Sequence, residues 1–205
     1  MTCKASCSDE IAETLVHIGR SSRGEDMRSP LTSAQWTCLR FFARANRVSR
    51  TPSAFASFQA TTRGTATQTI KILEGKGYLA RFRSDHDGRS VRLEITKQGL
   101  DILHADPLAN LMSAIGNLKP KERKTFLATL SHLSETLAGL RGAQAFGTCK
   151  DCIHYASSDS GGYCACLAAA LAPDDFGKLC VNFGSGGAVP HPPIPTNQMS
   201  KGRAQ

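Results

Sequence analysis

Between Thr61 and Ile95 the hydrophobic period of this chain changes, and the change leaves few folds open. Over Arg63–Glu74 the apolar residues Ala66, Ile70 and Leu73 recur at four and three residues, the spacing of one helix face. The opposite face carries Arg63, Thr67, Gln68 and Lys71, which are hydrogen-bonding and cationic but not acidic. Gly75 and Gly77 end the pattern. Leu79–Arg83 and Ser90–Ile95 then read as short strands, the second alternating Val91, Leu93 and Ile95 with Arg92 and Glu94, as a half-buried strand does. The Asp87-Gly88 pair between them is a tight-turn signal. The result is a helix running into a hairpin with a basic tip.

Flanking segments add helices. Ile11, Leu15 and Ile18 give Asp9–Arg20 the seam of a helix that packs on another helix. Thr32 followed by Gln35 is a capping-box start, and the helix behind it turns Trp36, Leu39, Phe42 and Ala43 inward. Thr51-Pro52 opens a short helix through Phe55 and Phe58, with proline where its missing N–H costs nothing. Lys97–Asn117 is a third helical region, with Leu100, Leu103, Leu111 and Ile115 apolar and Pro107 forcing a kink or break. Beyond Lys119-Pro120, the residues Phe126, Leu130, Leu133, Leu137 and Leu140 form a coiled-coil-like seam that asks for a partner helix.

Charge concentrates on the middle of the chain. The whole carries +8, but Arg28–Lys97 holds thirteen Lys and Arg against the four acids Glu74, Asp85, Asp87 and Glu94, a net of +9. Such a block suits a phosphate backbone, where each neutralised phosphate releases counterions. A solvated basic surface with no partner has the same charge, so charge alone does not decide.

In this order and at these distances, Leu31-Thr32 with Gln35, the Arg63–Leu73 helix running into Leu73-Glu74-Gly75-Lys76-Gly77-Tyr78-Leu79, the Asp87/Arg89 hairpin and Leu93–Gly99 resemble the multiple-antibiotic-resistance regulator (MarR) family of winged-helix repressors. The resemblance covers roughly Leu31 to Leu100. It implies a mainly α fold with a small β-hairpin wing, a winged helix-turn-helix with N- and C-terminal dimerisation helices forming a homodimer. It also implies that the Arg63–Glu74 helix enters a major groove of double-stranded DNA while the wing reaches the adjacent minor groove. Arg63, Thr65, Thr67, Gln68 and Lys71 offer donors for base edges and phosphates. Arg89 suits the negative potential of a narrow minor groove, with Asp87 placed to orient it. Gly88 stands where the family commonly carries a second Arg.

Five cysteines follow, spaced as Cys149, two residues, Cys152, eleven, Cys164, one, Cys166, thirteen, Cys180. Thiolate is the ligand that zinc and iron–sulfur clusters prefer. Disulfides would need an oxidising compartment. The N-terminus lacks a basic start and apolar run, being interrupted by Asp9, Glu10 and Glu13, and no apolar run nears ~18 residues, so a cytoplasmic, non-membrane protein with reduced thiols is expected. Five exceed the four that such a site takes, and the expected ligands are Cys149, Cys152, Cys164 and Cys180, with Cys166 as the alternate to Cys164. The second half has no paired knuckle, which puts an iron–sulfur cluster ahead of zinc. His154 could replace a thiol, although a lone His beside Tyr155 is more often a surface or packing residue. With Tyr163, Leu167, Leu171, Phe176 and Phe183 as its few apolar anchors, the segment cannot bury much by itself. Cys38 reads as a small buried hydrophobe, and Cys3 and Cys7 as residues of a frayed terminus.

The expected organisation is an N-terminal dimerisation helix and linker over 1–30, a winged helix over 31–97, dimerisation helices over 98–146, a cysteine-rich metal-binding segment over 147–184 and a disordered tail over 185–205. The expected function is a dimeric, sequence-specific transcription regulator, a repressor, whose DNA affinity follows a cysteine-bound iron–sulfur cluster or metal. One variant is a regulator answering a small aromatic effector, with only a structural zinc. A different class is a thiol-redox or electron-transfer protein using Cys149 and Cys152. Against an enzyme, the chain has no nucleotide-binding glycine pattern, no Cys-Gly-Pro-Cys loop and no evident carboxylate pair.

Overall fold

The computed structural model describes residues 6–22, 29–83, 91–158 and 161–185. Asp87 and Arg89, expected at the wing tip, together with Cys3 and residues from 186 on, lie outside them. Helix α1 (Cys7–Ser21) opens on a capping box: the Ser6 hydroxyl accepts from the Asp9 N–H and the Asp9 carboxylate accepts the Ser6 N–H at 2.9 Å. Threonines cap the next three helices. Thr32 starts α2 (Ser33–Arg44) with Gln35 as its reciprocal partner, Thr51 starts α3 (Pro52–Phe58), and Thr62 starts α4 (Arg63–Gly75). Each cap satisfies an otherwise orphaned N–H and stabilises its helix by about 1 kcal/mol.

These helices enclose one core. Trp36, Leu39, Phe41, Phe42, Phe55, Ile70, Leu73 and Leu93 are all buried, and the Phe41 ring lies 5.2 Å from Phe42 and 5.5 Å from Phe55. The sequence places Ala43 in this core and passes over Phe41; in the fold Phe41 is buried and Ala43 only half-buried. The apolar face of α2 is wide because it packs on α4 and the hairpin and also meets residues from the end of the described chain. Phe58, at the end of α3, stays partly exposed.

Strands β1 (Leu79–Arg83) and β2 (Val91–Ile95) pair antiparallel from Leu79↔Ile95 to Arg83↔Val91. The Leu93 N–H also donates to the Arg50 carbonyl at 2.8 Å, tying the hairpin to the α2–α3 connection. Gly77 turns α4 into β1 at φ +76°, where a side chain would be strained. The Thr96 hydroxyl locks this corner by donating to the Gly77 carbonyl at 2.7 Å. Gly99, in α5 (Lys97–Ile102), sits directly under the Tyr78 carbonyl and beside Ile95, where a Cβ would meet both. Gly99→Ala should therefore destabilise the protein by about 1–3 kcal/mol, since forced backbone displacement outweighs the helix preference of alanine. The urea midpoint checks this.

The expected helical region over Lys97–Asn117 is broken, not kinked: α5 ends in a 3-10 turn (Leu103–Ala105), and α6 runs over Leu108–Gly116. Asp106 holds the break, its Oδ1 accepting from the Leu108 N–H and from Arg40 on α2, both at 2.8 Å. Helix α7 (Pro120–Leu140) follows. Its seam residues Phe126, Leu133, Leu137 and Leu140 are exposed, and Ala138 is its one buried residue among those described. Helix α1 has none.

The cysteine segment departs most from the sequence reading. Strand β3 (Gly147–Thr148) pairs antiparallel with the last strand, β7 (Leu179–Cys180), while β4 (Tyr155–Ser158), β5 (Gly161–Cys164) and β6 (Ala169–Leu171) form a three-stranded antiparallel sheet. It is not left to its own anchors. Leu179 and Val181 enter the winged-helix core, Ala45 bridges Leu179 in parallel, and the Ser49 hydroxyl accepts the Val181 N–H at 2.8 Å. Phe146 stacks edge-on against Phe58 at 5.2 Å and Phe41 at 6.3 Å. Of the expected anchors, Phe183 is buried and Phe176 packs on Tyr155 at 5.6 Å, whereas Tyr163 is exposed. Among the described residues no helix is long and apolar enough to cross a membrane.

Candidate nucleic-acid interface and thiol corner

Helix α4 is fixed on one face and open on the other. Ala66, Ile70 and Leu73 anchor it in the core, and Glu74 is clamped by both guanidinium arms of Arg81 on β1, at 2.7 and 2.8 Å. Arg63, Thr65, Gln68 and Lys71 are exposed, and Thr67 is half-buried. The side chains of Arg63, Gln68 and Lys71 make no hydrogen bond or ion pair among the described residues, so their head groups are available. The threonines are partly committed: Thr67 Oγ1 donates to the Arg63 carbonyl at 2.7 Å, and Thr65 Oγ1 pairs with Thr62 Oγ1 at 2.9 Å. Their oxygens can still accept. Asp87 and Arg89, expected beside this face, fall outside the described residues. Sequence reasoning passed over Ile72, an apolar side chain exposed on the same helix.

The five C-terminal thiols gather at one corner. Cys149 begins a 3-10 turn (Cys149–Asp151) directly after β3, and the β3–β7 register sets Cys180 opposite Gly147. The Phe183 ring occupies the space a Cβ on Gly147 would need, which lets the strand approach closely. The Gly184 N–H donates to Cys152 Sγ at 3.3 Å. Cys149, Cys164 and Cys180 are buried, while Cys152 and Cys166 are half-buried.

These sulfurs act on one another's charge. Burial pushes the Cys149 thiol up; the Asn46 amide opposes this, and Cys164, Cys152 and Asp175 add to it. Burial likewise raises Cys166, with Cys164 and Cys152 contributing. Cys180 is pushed up to about 11 by burial, against hydrogen bonds from the Asn182 backbone and the Asn46 side chain. Thiols of this kind are protonated at neutral pH, and a metal would displace their protons. Five soft donors at one corner fit a thiolate-seeking ion in chemistry. Among the described residues, though, no three of the His, Cys, Asp and Glu groups already stand as a metal-holding cage. Closing one would draw the sulfurs inward. His154 is half-buried beside Gly184 and makes no side-chain hydrogen bond among the described residues. Burial raises Cys38, in the main core, well above the ordinary thiol range. Cys7 is exposed on α1.

A separate cleft of about 380 Å³ lies between α3, the end of α7 and the segment leading into β3, lined among others by Phe58, Ser134, Arg141, Gln144 and Phe146. Its volume is in the range of small-ligand sites.

A helix with an open polar face, seated on a core by its other face and running into a two-stranded hairpin, defines a winged-helix protein. Residues 29–90 match the MarR family model. Solved structures agree on the fold. The S. aureus MepR–DNA complex is 15% identical with a TM-score of 0.51, covering 65% of this chain and 99% of that one. A MarR transcriptional regulator from Methanosarcina mazei Go1 is 21% identical with a TM-score of 0.51, covering 64% and 97%. The transcriptional regulator SlyA is 18% identical with a TM-score of 0.50, covering 66% and 96%. Among curated proteins none matches the chain.

Proposed function

We propose that this chain is a dimeric, sequence-specific DNA-binding transcription regulator, a repressor, whose hold on DNA is set by a metal or iron–sulfur cluster at its C-terminal thiols. The observation that carries the DNA reading is α4: Arg63, Gln68 and Lys71 present unengaged head groups on a helix immobilised from behind. Arg63 and Gln68 are suited to purine edges, Lys71 to phosphate, and the threonine oxygens to either. Asp87 and Arg89 would add the minor-groove contact. The +9 block over Arg28–Lys97 supplies the long-range attraction. Solved MepR of the same fold is a DNA complex, which supports the reading.

Dimer formation follows from surfaces one copy leaves uncovered. The α7 seam and Ile11 of α1 expose large apolar side chains, and a second copy of the same helices would bury them. Leu133→Glu combined with Leu137→Glu is expected to turn a dimer into a monomer by light scattering; an unchanged mass would remove α7 from the interface.

At the thiol corner, Cys149, Cys152, Cys164 and Cys180 would hold the ion, with Cys166 as the alternate. The burial of Cys149, Cys164 and Cys180 supports this choice. A bound metal supplies cross-links among thiolates in a segment with little core of its own; an iron–sulfur cluster would add sensitivity to oxygen, nitric oxide or iron shortage. A second reading, in which the effector is a small aromatic molecule and the metal only structural zinc, has the 380 Å³ cleft beside Phe58 and Phe146 in its favour.

Gel-shift titration of the chain's own promoter region, with metal-loaded and metal-free protein, tests the proposal. Retardation by one form at a lower protein concentration than by the other is expected. No retardation by either at low salt would sink it. The absorption spectrum of anaerobically purified protein separates a brown cluster protein from a colourless zinc protein.

A further inference from the structure

Ile72 is a large apolar side chain on the open side of α4, and the fold makes no use of it. It is 46% exposed and joins neither hydrophobic core. Ala66, Ile70 and Leu73, all buried, already seat the helix. Ile72 lies one turn beyond Gln68, and residues four apart on a helix are neighbours, with Cβ atoms about 5–6 Å apart. Both are exposed, as are Gly64 and Gly75 on the same side of the helix. A Cβ on Gly75 would meet nothing, and one on Gly64 would meet the Thr62 hydroxyl at an ordinary 3.8 Å, so internal packing requires neither glycine. What the two glycines give is a low face. The backbone can come close to whatever lies opposite, with Gln68, Lys71 and Ile72 projecting from it.

The chemistry around Ile72 says what covers it. Arg63, Gln68 and Lys71 surround it with exposed cationic and amide head groups, a setting for a polyanion and not for the apolar surface of a second protein. In the major groove of DNA the apolar group on the base edges is the C5 methyl of thymine. A Gln side chain pairs with adenine, and the thymine opposite that adenine shows its methyl in the same groove. An amide and an apolar side chain one turn apart therefore match the two halves of an A·T-containing step.

We infer that Ile72 is a specificity-determining residue that packs on the C5 methyl of a thymine in the major groove, beside the base edge taken by Gln68. This rests on the reading of α4 as the DNA-reading helix. It adds a preference for thymine that is carried by apolar contact and neutralises no phosphate, so it leaves the salt slope unchanged.

The test uses full-length protein and the promoter-region duplex, footprinted to locate the bound site. Each thymine of that site is replaced in turn by deoxyuridine, which lacks only the methyl. Wild type is expected to lose about fourfold in affinity at one such position, the effect of one buried methyl. Ile72→Ala is expected to bind the thymine duplex more weakly and to lose less than about 1.5-fold on the same replacement. Ile72→Val, which keeps a branched apolar side chain, is expected to retain the sensitivity to the methyl. On an unrelated duplex Ile72→Ala and wild type should bind alike. Wild type indifferent to every replacement, an equal loss in wild type and Ile72→Ala, or equal weakening of Ile72→Ala on the unrelated duplex would overturn the role of Ile72 while leaving α4 as the reading helix. A promoter-region duplex left unbound by wild type at low salt would overturn the DNA reading and this inference with it.

Discussion

Ending the chain after Phe146 is expected to destabilise the winged helix itself by roughly 3–6 kcal/mol, from the loss of two buried aliphatic side chains at roughly 1.5–3 kcal/mol each. Those side chains are Leu179 and Val181, which sit in the same core as Trp36 and Phe42 although they belong to the cysteine segment. The backbone ties lost with them, Asn46 N–H to the Leu179 carbonyl and Val181 N–H to the Ser49 hydroxyl, leave polar groups of a buried turn unpaired. Against a total stability of about 5–15 kcal/mol, a loss of this size unfolds a substantial fraction of the protein or all of it. Urea unfolding of the 1–146 fragment beside the full chain measures it. Coincident midpoints would show that the segment is a detachable appendage.

The second large effect is on DNA. Replacing Arg63 and Gln68 together by Ala should weaken binding to the operator by about 100-fold or more, since each good base contact contributes about 1–3 kcal/mol. Lys71→Ala should act differently, weakening specific and unrelated duplexes alike and lowering the salt slope by about one. All three side chains are exposed and make no contact that holds the fold, so thermal stability should hold while affinity falls. Fluorescence anisotropy across a salt series reads both quantities. Unchanged affinity in the Arg63/Gln68 double variant would move the DNA-reading surface off α4.

What was legible in the sequence is what the chain encodes within a few residues. Thr32 with Gln35 and Thr51 with Pro52 mark helix starts because the cap is a local exchange between a side chain and an N–H three positions on. The spacing of Ala66, Ile70 and Leu73 fixed which face of α4 is buried, and so which residues it presents. The alternation around Leu93 marked the strand that pairs with Leu79–Arg83, while the Asp87-Gly88 turn lies outside the described residues. The role of Pro107 was half legible: a proline announces disruption, but the Arg40–Asp106 contact that makes it a clean break joins residues 66 apart.

The return of the segment around Leu179 to α2 was not legible at all. No pattern near Leu179 announces that it will bridge Ala45, and none near Asn46 announces that its amide will meet sulfur. The wide burial of α2, Phe41 included, has the same origin, because a helix flanked on two sides buries more than the single stripe its periodicity suggests. At the thiol corner, the approach of Cys180 to the turn at Cys149 depends on the β3–β7 pairing, two residues long on each side.

The Ser49–Val181 bond spans 132 residues, which bears on how the protein is made. At about 5–20 residues per second, the ribosome finishes α2 roughly ten seconds before Leu179 and Val181 emerge. Through that interval the core around Trp36 and Phe42 lacks Leu179 and Val181. Pairing of β7 is then the event that seals the winged-helix core, so a ribosome stalled in the cysteine segment would release a product whose described helices are present and whose core is open.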